Sequence, residues 1–392
     1  MNSKTLKIGF VPLVDAAPLI VAHEIAFAEE EGLSLDLKRA PSWSTLRDWV
    51  AMEQIDAAHM LSPVPVATAL GLGGVAVRLN ALNVLSVNGN VIGVSRDLSA
   101  RMRAHGFAFD FADADAAGRA LMNATEGRLR IGVPFPFSMH AELLFYWLGS
   151  LGLQTPQGLD VRTVPPPLMA DAMAAGEIDA FCVGEPWGSI SVENGVGDLV
   201  LPGRAIWASA PEKVLAVRET WVDEQPEIAH RLVRALWRAG RWLSHAGNRA
   251  IAAEILSAHG YLNVSSEILD RSLSGQFSIS PQGDLRSCEG FVEFFRGAAG
   301  FPWRSQAAWI AHNLAERTGL DRSAAKAAGA QVFRTDIYRQ ALSRLHVDLP
   351  GASEKVEGAI LAPTEVASAS GTLILAPDQF FDARVFDLDA NE

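Results

Sequence analysis

Residues 6–15 read LKIGFVPLVD, and this stretch with its sequel decides the fold. The apolar run is broken by Gly9 and Pro12 and has the length of one core strand. A membrane span would need ~18 apolar residues. Behind it, DAAPLIVAHEIAFAEEEG (15–32) carries apolar residues at helical spacing and ends on Gly32, a residue suited to a helix C-terminus. LSLDLKRA (33–40) alternates apolar and polar residues, as a half-buried strand does. SWSTLRDWVAMEQ (42–54) is helical, with Ser42 or Ser44 as N-cap, and DAAHML (56–61) is a strand. SPVPVATALGLGG (62–74) is a helix opened by Pro63 or Pro65. Strand and helix in alternation predict an α/β fold, with mostly parallel sheets flanked by helices.

The alternation then restarts. NVIGVS (90–95), RLRIGVPFP (128–136), LDVRTVP (159–165) and DAFCVGEP (179–186) read as strands. Between them lie an Ala- and Asp-rich helix, HAELLFYWLGSLGL (140–153) and PLMADAMAAGEI (167–178). KVLAVRETWV (213–222) is a further strand, and 226–346 is mostly helical. The expected organisation is a two-lobed clamshell. Residues 1–85 open lobe I, 86–204 form lobe II, 205–346 return to lobe I, and 347–392 pack over the body as a tail. Such folds bind small ligands between the lobes, at the carboxyl ends of the strands, and close by hinge motion.

The chain has 392 residues, 49% hydrophobic and 20% charged, enough for a sizeable core. A formal net charge of −12 argues against a nucleic-acid or anionic-membrane surface, though not against one small anion in a local basic pocket. Cys182 and Cys288 are the two cysteines and suggest neither a disulfide framework nor a zinc site. No nucleophile elbow, phosphate loop or metal-ligand cluster stands out, so the expectation is a binding protein, not an enzyme, without cofactor or metal. MNSKT runs straight into the first strand, with no secretory pattern, and the expected location is cytoplasmic.

Several loops point toward one cleft. Trp43 opens a helix after the second strand. Asn90 follows the Asn88–Gly89 turn where one lobe passes to the other. His140 lies in a first helical turn behind Ser138, where free N–H groups and the helix dipole suit an anion. A buried strand runs into Gly184, where backbone can approach a ligand, and Glu185 follows. Lys213 starts the strand that returns to lobe I.

PSWSTLRD (41–48), NGNVIGVS (88–95), VPFPFSMH (133–140), VPPPLMA (164–170), FCVGEPWG (181–188) and PEKVLAV (211–217) occur in one order. In that order and spacing the chain resembles the nitrate/nitrite-binding proteins related to nitrate and bicarbonate ABC-transporter receptors. The resemblance extends to the tail ILAPDQFFDARVFDLD (374–389). It implies a type 2 periplasmic-binding-protein fold with an anion between the lobes. It also implies a pocket of Trp43, Asn90, His140, Pro166, Val183, Gly184 and Lys213. The receptors carry a longer glutamine at position 90. Bicarbonate receptors replace the histidine and lysine, so His140 and Lys213 favour nitrate or nitrite. The absence of an export pattern suggests the family's cytoplasmic sensor branch (NasS-type). That branch implies a partner, an RNA-binding antiterminator of the NasT type, held without ligand and released by the anion, with no direct nucleic-acid contact by the sensor. The alternative is a transport receptor for nitrate or bicarbonate.

Elementary electrostatics fits a many-donor site. One lysine–anion contact at ~4 Å and an effective dielectric of ~20 contributes about 4 kcal/mol before desolvation. Micromolar binding needs roughly 8 kcal/mol. Several donors must therefore converge, and Glu185 is expected to turn outward or pair with a base.

Overall fold

The computed structural model describes residues 4–369 and 371–390. Two mixed sheets organise the chain. The first contains β1 (Lys4–Phe10), β2 (Leu33–Arg39), β3 (Ala57–Leu61) and β4 (Leu79–Asn88). The second contains β5 (Asn90–Ser95), β6 (Leu129–Val133), β7 (Leu159–Thr163), β8 (Ala180–Gly184) and β9 (Gly197–Pro202). β10 (Pro211–Arg218) returns to the first sheet. Two short strands, β11 (Gln276–Ser278) and β12 (Leu285–Ser287), form a separate hairpin, β13 (Val292–Glu293) edges the first sheet, and β14 (Thr364–Ala367) pairs with β15 (Thr372–Leu375) in the tail.

The first sheet runs β13-β4-β10-β3-β1-β2 and the second β7-β6-β8-β5-β9. In each, an inserted strand runs against its neighbours, and in the first sheet the short edge strand β13 also runs against β4. β10 is antiparallel to both β3 and β4, and β5 to both β8 and β9. The sheets are therefore mixed, not simply parallel. The expectation of mostly parallel sheets came from βαβ crossovers, whereas β5 and β10 are the strands by which the chain changes sheet.

β4 was not legible as a strand. LNALNVLSVN is buried at every position, so no polar alternation marks a solvent face, and Asn80 and Asn83 interrupt the apolar run. The expected limit at 85/86 falls inside it. The change of sheet occurs at Gly89 (φ +103°), after Asn88 in the left-handed region at φ +57°. Gly89 supplies a backbone angle that other residues rarely adopt.

The long first helix also divides. A 3₁₀ turn at Val14–Ala16, a helix Ala17–Glu24 and a single turn Phe27–Glu30 replace it, with Ala26 at φ +62° between the last two. The Ala- and Asp-rich segment is likewise two helices, Arg96–Ala104 and Ala114–Ala124. Ser42 and Ser138 do cap the helices Trp43–Ala51 and Met139–Ser150, accepting from the N–H of Thr45 and Ala141.

Residues 205–346 do not all rejoin the first sheet. The 276–286 stretch leans on the second, where Leu199 N donates to Ile279 O, Phe277 meets Phe111 at 5.4 Å and Arg286 bonds the Phe109 carbonyl. The reason is apolar. Phe109, Phe111 and Phe277 are buried and need one another. In the tail, Phe380 stacks on Trp207 at 4.8 Å, and buried Glu357 and Asp378 hold Lys355. Among the described residues no helix is long and apolar enough to cross a membrane.

Candidate functional site

The ends of β3, β5, β8 and β10 meet the loop after β1 and the start of the helix Met139–Ser150. There the chain buries a cluster of ionisable groups. Asp15, His59, Asn90, His140, Glu212 and Lys213 are each no more than 2% exposed. Lys213 Nζ lies 2.7 Å from Asp15 Oδ2 and 2.8 Å from Glu212 Oε1. Asn90 Nδ2 donates to Glu212 Oε2 at 2.6 Å, and His140 Nδ1 is 3.2 Å from Glu212 Oε1. His59 Nε2 meets Asp15 Oδ1 at 2.9 Å. The Trp43 ring closes one side, with Lys213 Nζ 5.5 Å from its centroid and the His59 ring 5.6 Å away. The indole N–H of Trp43 and both ring nitrogens of His140 are buried with no hydrogen-bond partner.

Local structure explains the convergence. β10 sits in the middle of the first sheet, so Lys213 is wholly buried and not a solvated edge residue. Register shifts on either side of Lys213 break the strict alternation of β10. Neighbouring Glu212 and Lys213 can then touch, where regular pleating would send them to opposite faces. Asn90 opens β5 opposite Gly184. A Cβ at Gly203 would lie 1.8 Å from Asn90 Oδ1, so only glycine leaves that amide its place.

The charge states follow from burial and partners. Burial favours neutral Asp15, but Lys213 and His59 outweigh it and hold the carboxyl down at about 2. Burial also works against a charged Lys213, and Asp15 and Glu212 reverse it, raising the ammonium above its ordinary value. Glu212 is raised, because burial outweighs Lys213. Burial, with Lys213 nearby, pushes His140 well below the usual imidazole value, and burial lowers His59 despite Asp15. Both rings are neutral near pH 7.

Of the residues expected in the pocket, Trp43, Asn90, His140 and Lys213 are in this cluster. Val183 and Gly184 end β8 beside it, Gly184 facing the Leu13–Asp15 loop, where an added Cβ would meet Leu13 at 2.8 Å. Pro166 is buried at the start of the turn after β7 and takes no part in the hydrogen bonds of the cluster. Three members escaped the sequence reading: Asp15, His59 and Glu212. His59 was detectable as a lone histidine inside the apolar strand DAAHML, and Asp15 as an acid just after a core strand. Glu212 was masked by the adjacent lysine.

Glu185 neither turns outward nor pairs with a base. Its carboxyl curls back, accepting from Ser189 N at 3.2 and 3.3 Å and from Ser272 Oγ at 3.2 Å. Burial raises it to about 7. It is thus an N-terminal partner for the helix Trp187–Glu193. Among the described residues no group of His, Cys, Asp and Glu is arranged to hold a metal.

A family model described as the NMT1-like family matches residues 1–257. The chain belongs to the NMT1-like family. Among its relatives, the nitrate/nitrite binding protein NrtA of Nostoc sp. is 30% identical over 315 residues, 78% of this chain and 68% of that one. The bicarbonate-binding protein CmpA of Synechococcus elongatus is 29% identical over 378 residues, 91% and 82% of the two chains. The nitrate import ATP-binding protein NrtC of Synechocystis sp. is 32% identical over 323 residues, 81% of this chain. The chain spans about half the length of the NrtC proteins it matches, 46% and 52%. The crystal structure of the periplasmic nitrate-binding protein NrtA from Synechocystis PCC 6803 superposes with a TM-score of 0.84 at 26% identity, covering 99% of this chain and 96% of that one. The expected periplasmic-binding-protein fold is the fold found, and this NMT1-like chain buries its cluster where its two sheets meet.

Proposed function

We propose that this protein binds nitrate or nitrite between its two sheets. One observation carries the reading. Lys213 of the first sheet, Asn90 of the second and His140 of the helix Met139–Ser150 converge around Glu212 at a buried point walled by Trp43. A planar anion with weak acceptor oxygens needs several N–H donors and a flat wall, and the unpartnered N–H of Trp43 adds one more donor. The presence of both His140 and Lys213 favours nitrate or nitrite over the bicarbonate that CmpA is named for. Calorimetry with nitrate, nitrite and bicarbonate should show one site per chain for the first two. Lys213→Ala and His140→Ala should each weaken it at least about tenfold; intact binding in both variants sinks the assignment.

Two roles for that binding remain distinct. As a transport receptor, the chain would deliver the anion to an ABC importer, which the names of its NrtA and NrtC relatives support. As a cytoplasmic sensor, it would hold an RNA-binding antiterminator of the NasT type without ligand and release it on closure. The formal charge of −12 is compatible with this role, since the sensor need not touch RNA itself. In either role the anion acts only through its differential affinity for open and closed states. Co-purification with the antiterminator, with and without nitrate, separates them: release by nitrate supports sensing, and no complex under either condition leaves the receptor role.

A further inference from the structure

Two of the donors at this site, Lys213 and Asn90, already bear on one carboxyl group. Glu212 receives Lys213 and Asn90 at 2.8 and 2.6 Å, His140 Nδ1 lies 3.2 Å from it without a hydrogen bond, and Lys213 is shared with Asp15 at 2.7 Å. With both carboxyls ionised, two negative charges face one ammonium. A monovalent anion placed against Lys213 would take the buried total to −2, which a site this dry opposes strongly. The remaining neighbours supply no positive charge. His59 on β3 is committed to Asp15, His140 is buried beside the ammonium, and Cys182 on β8 is a wholly buried thiol pushed up by burial. Trp43 and Asn90 carry no charge.

We propose that the cleft takes up one proton with each anion it binds, and that Glu212 is the group that receives it. This rests on the anion-binding reading above. The proton passes from solvent to a carboxylate oxygen of Glu212, and no bond within the anion changes. Lys213 is then released from Glu212 toward the anion, and the new O–H of Glu212 becomes a further donor in the cluster. Asp15 is the poorer acceptor, since His59 and Lys213 both stabilise its charge, while burial outweighs the stabilisation of Glu212. The ligand is in effect the anion together with a proton, and Glu212 is a positioning residue that admits the anion only when neutral.

The test is nitrate calorimetry on the whole chain, in buffers of different ionisation enthalpy at one mildly alkaline pH and then across a series of pH values. The observed heat should vary with the buffer, with a slope approaching one proton taken up per nitrate. Affinity should fall toward tenfold per pH unit on the alkaline side. Glu212→Gln, fixed in the neutral form, should lose both dependences and still bind at high pH, whereas His140→Gln should keep the slope. Nitrate binding with buffer-independent heat and flat affinity overturns the proposal, and this wild-type series decides even if a variant fails to fold. A slope lost in His140→Gln but kept in Glu212→Gln overturns the assignment to Glu212. No heat from nitrate or nitrite at any pH instead removes the anion-binding reading itself.

Discussion

Lys213 holds two buried carboxyls apart, and removing it has consequences beyond ligand binding. In Lys213→Ala, Asp15 and Glu212 face each other with no cation between them. Breaking a buried pair from one side typically costs about 3–5 kcal/mol. Denaturant melts near neutral pH should show a loss of that order, shrinking in acid as the carboxyls protonate. Glu185 gives an independent pH signal. Its folded-state value of about 7 lies above the ordinary 4.5, so the folded chain holds this proton more tightly than the unfolded one. Its contribution is present at low pH and is lost as pH rises from about 4.5 through about 7, a span worth about 3 kcal/mol. Glu185→Gln should remove that slope and be more stable than the parent at alkaline pH in melts across the range. Residue identity told much here and little of orientation. His140 and Lys213 stood out as lone polar groups beside apolar elements, but their burial depends on strands more than a hundred residues away.

At the scale of elements, the helix Met139–Ser150 must be fixed for His140 to face the cluster. Ser138 caps it, its Oγ also donating to the Phe135 carbonyl at 2.7 Å, so the Pro/Phe loop before it and the helix start are one unit. Two residues beyond His140, Glu142 takes both guanidinium nitrogens of Arg317 at 2.6 and 2.7 Å. That pair ties the helix to Arg304–Thr318. Arg317→Ala strands a buried carboxylate and should cost about 3 kcal/mol in unfolding experiments. It should also weaken nitrate binding, although Arg317 is not part of the cluster. Reading elements from the sequence worked where one face is wet. β2 alternates and the helix Trp43–Ala51 keeps a buried stripe at Trp43, Leu46 and Val50. It failed at β4, which is buried on every side and offers no period to read.

Across the whole molecule, the two sheets are joined at the cleft by short contacts. Val14 N donates to Glu185 O at 2.8 Å and Trp187 Nε1 to Pro12 O at 2.8 Å, while Ser272 reaches Glu185. Arg271 pairs with Glu193 alongside. A ligand bound only to this joined arrangement stabilises it by mass action, about 2.7 kcal/mol at a hundredfold excess over Kd. Nitrate should therefore raise the melting temperature in a concentration-dependent way, and Trp187→Phe, which loses a cross-sheet hydrogen bond, should bind more weakly at an unchanged one-to-one ratio. Scanning calorimetry and titration calorimetry check the two halves of that statement.

The sequence by itself determined the α/β class and the restart of the alternation near residue 90, and it singled out polar side chains that the fold brings together. These are local properties, carried by periodicity, caps and turn residues within a few positions of one another. Only the tertiary structure decided that β5 and β10 run backwards, that β4 exists, and that the change of sheet falls at Gly89. It alone set Asp15 and Glu212 against Lys213. The physical reason is range. Strand direction, burial and the charge on a buried group are fixed by partners distant in sequence. The electrostatic character of the cleft, and with it the proton expected to accompany the anion, arises when the two sheets meet.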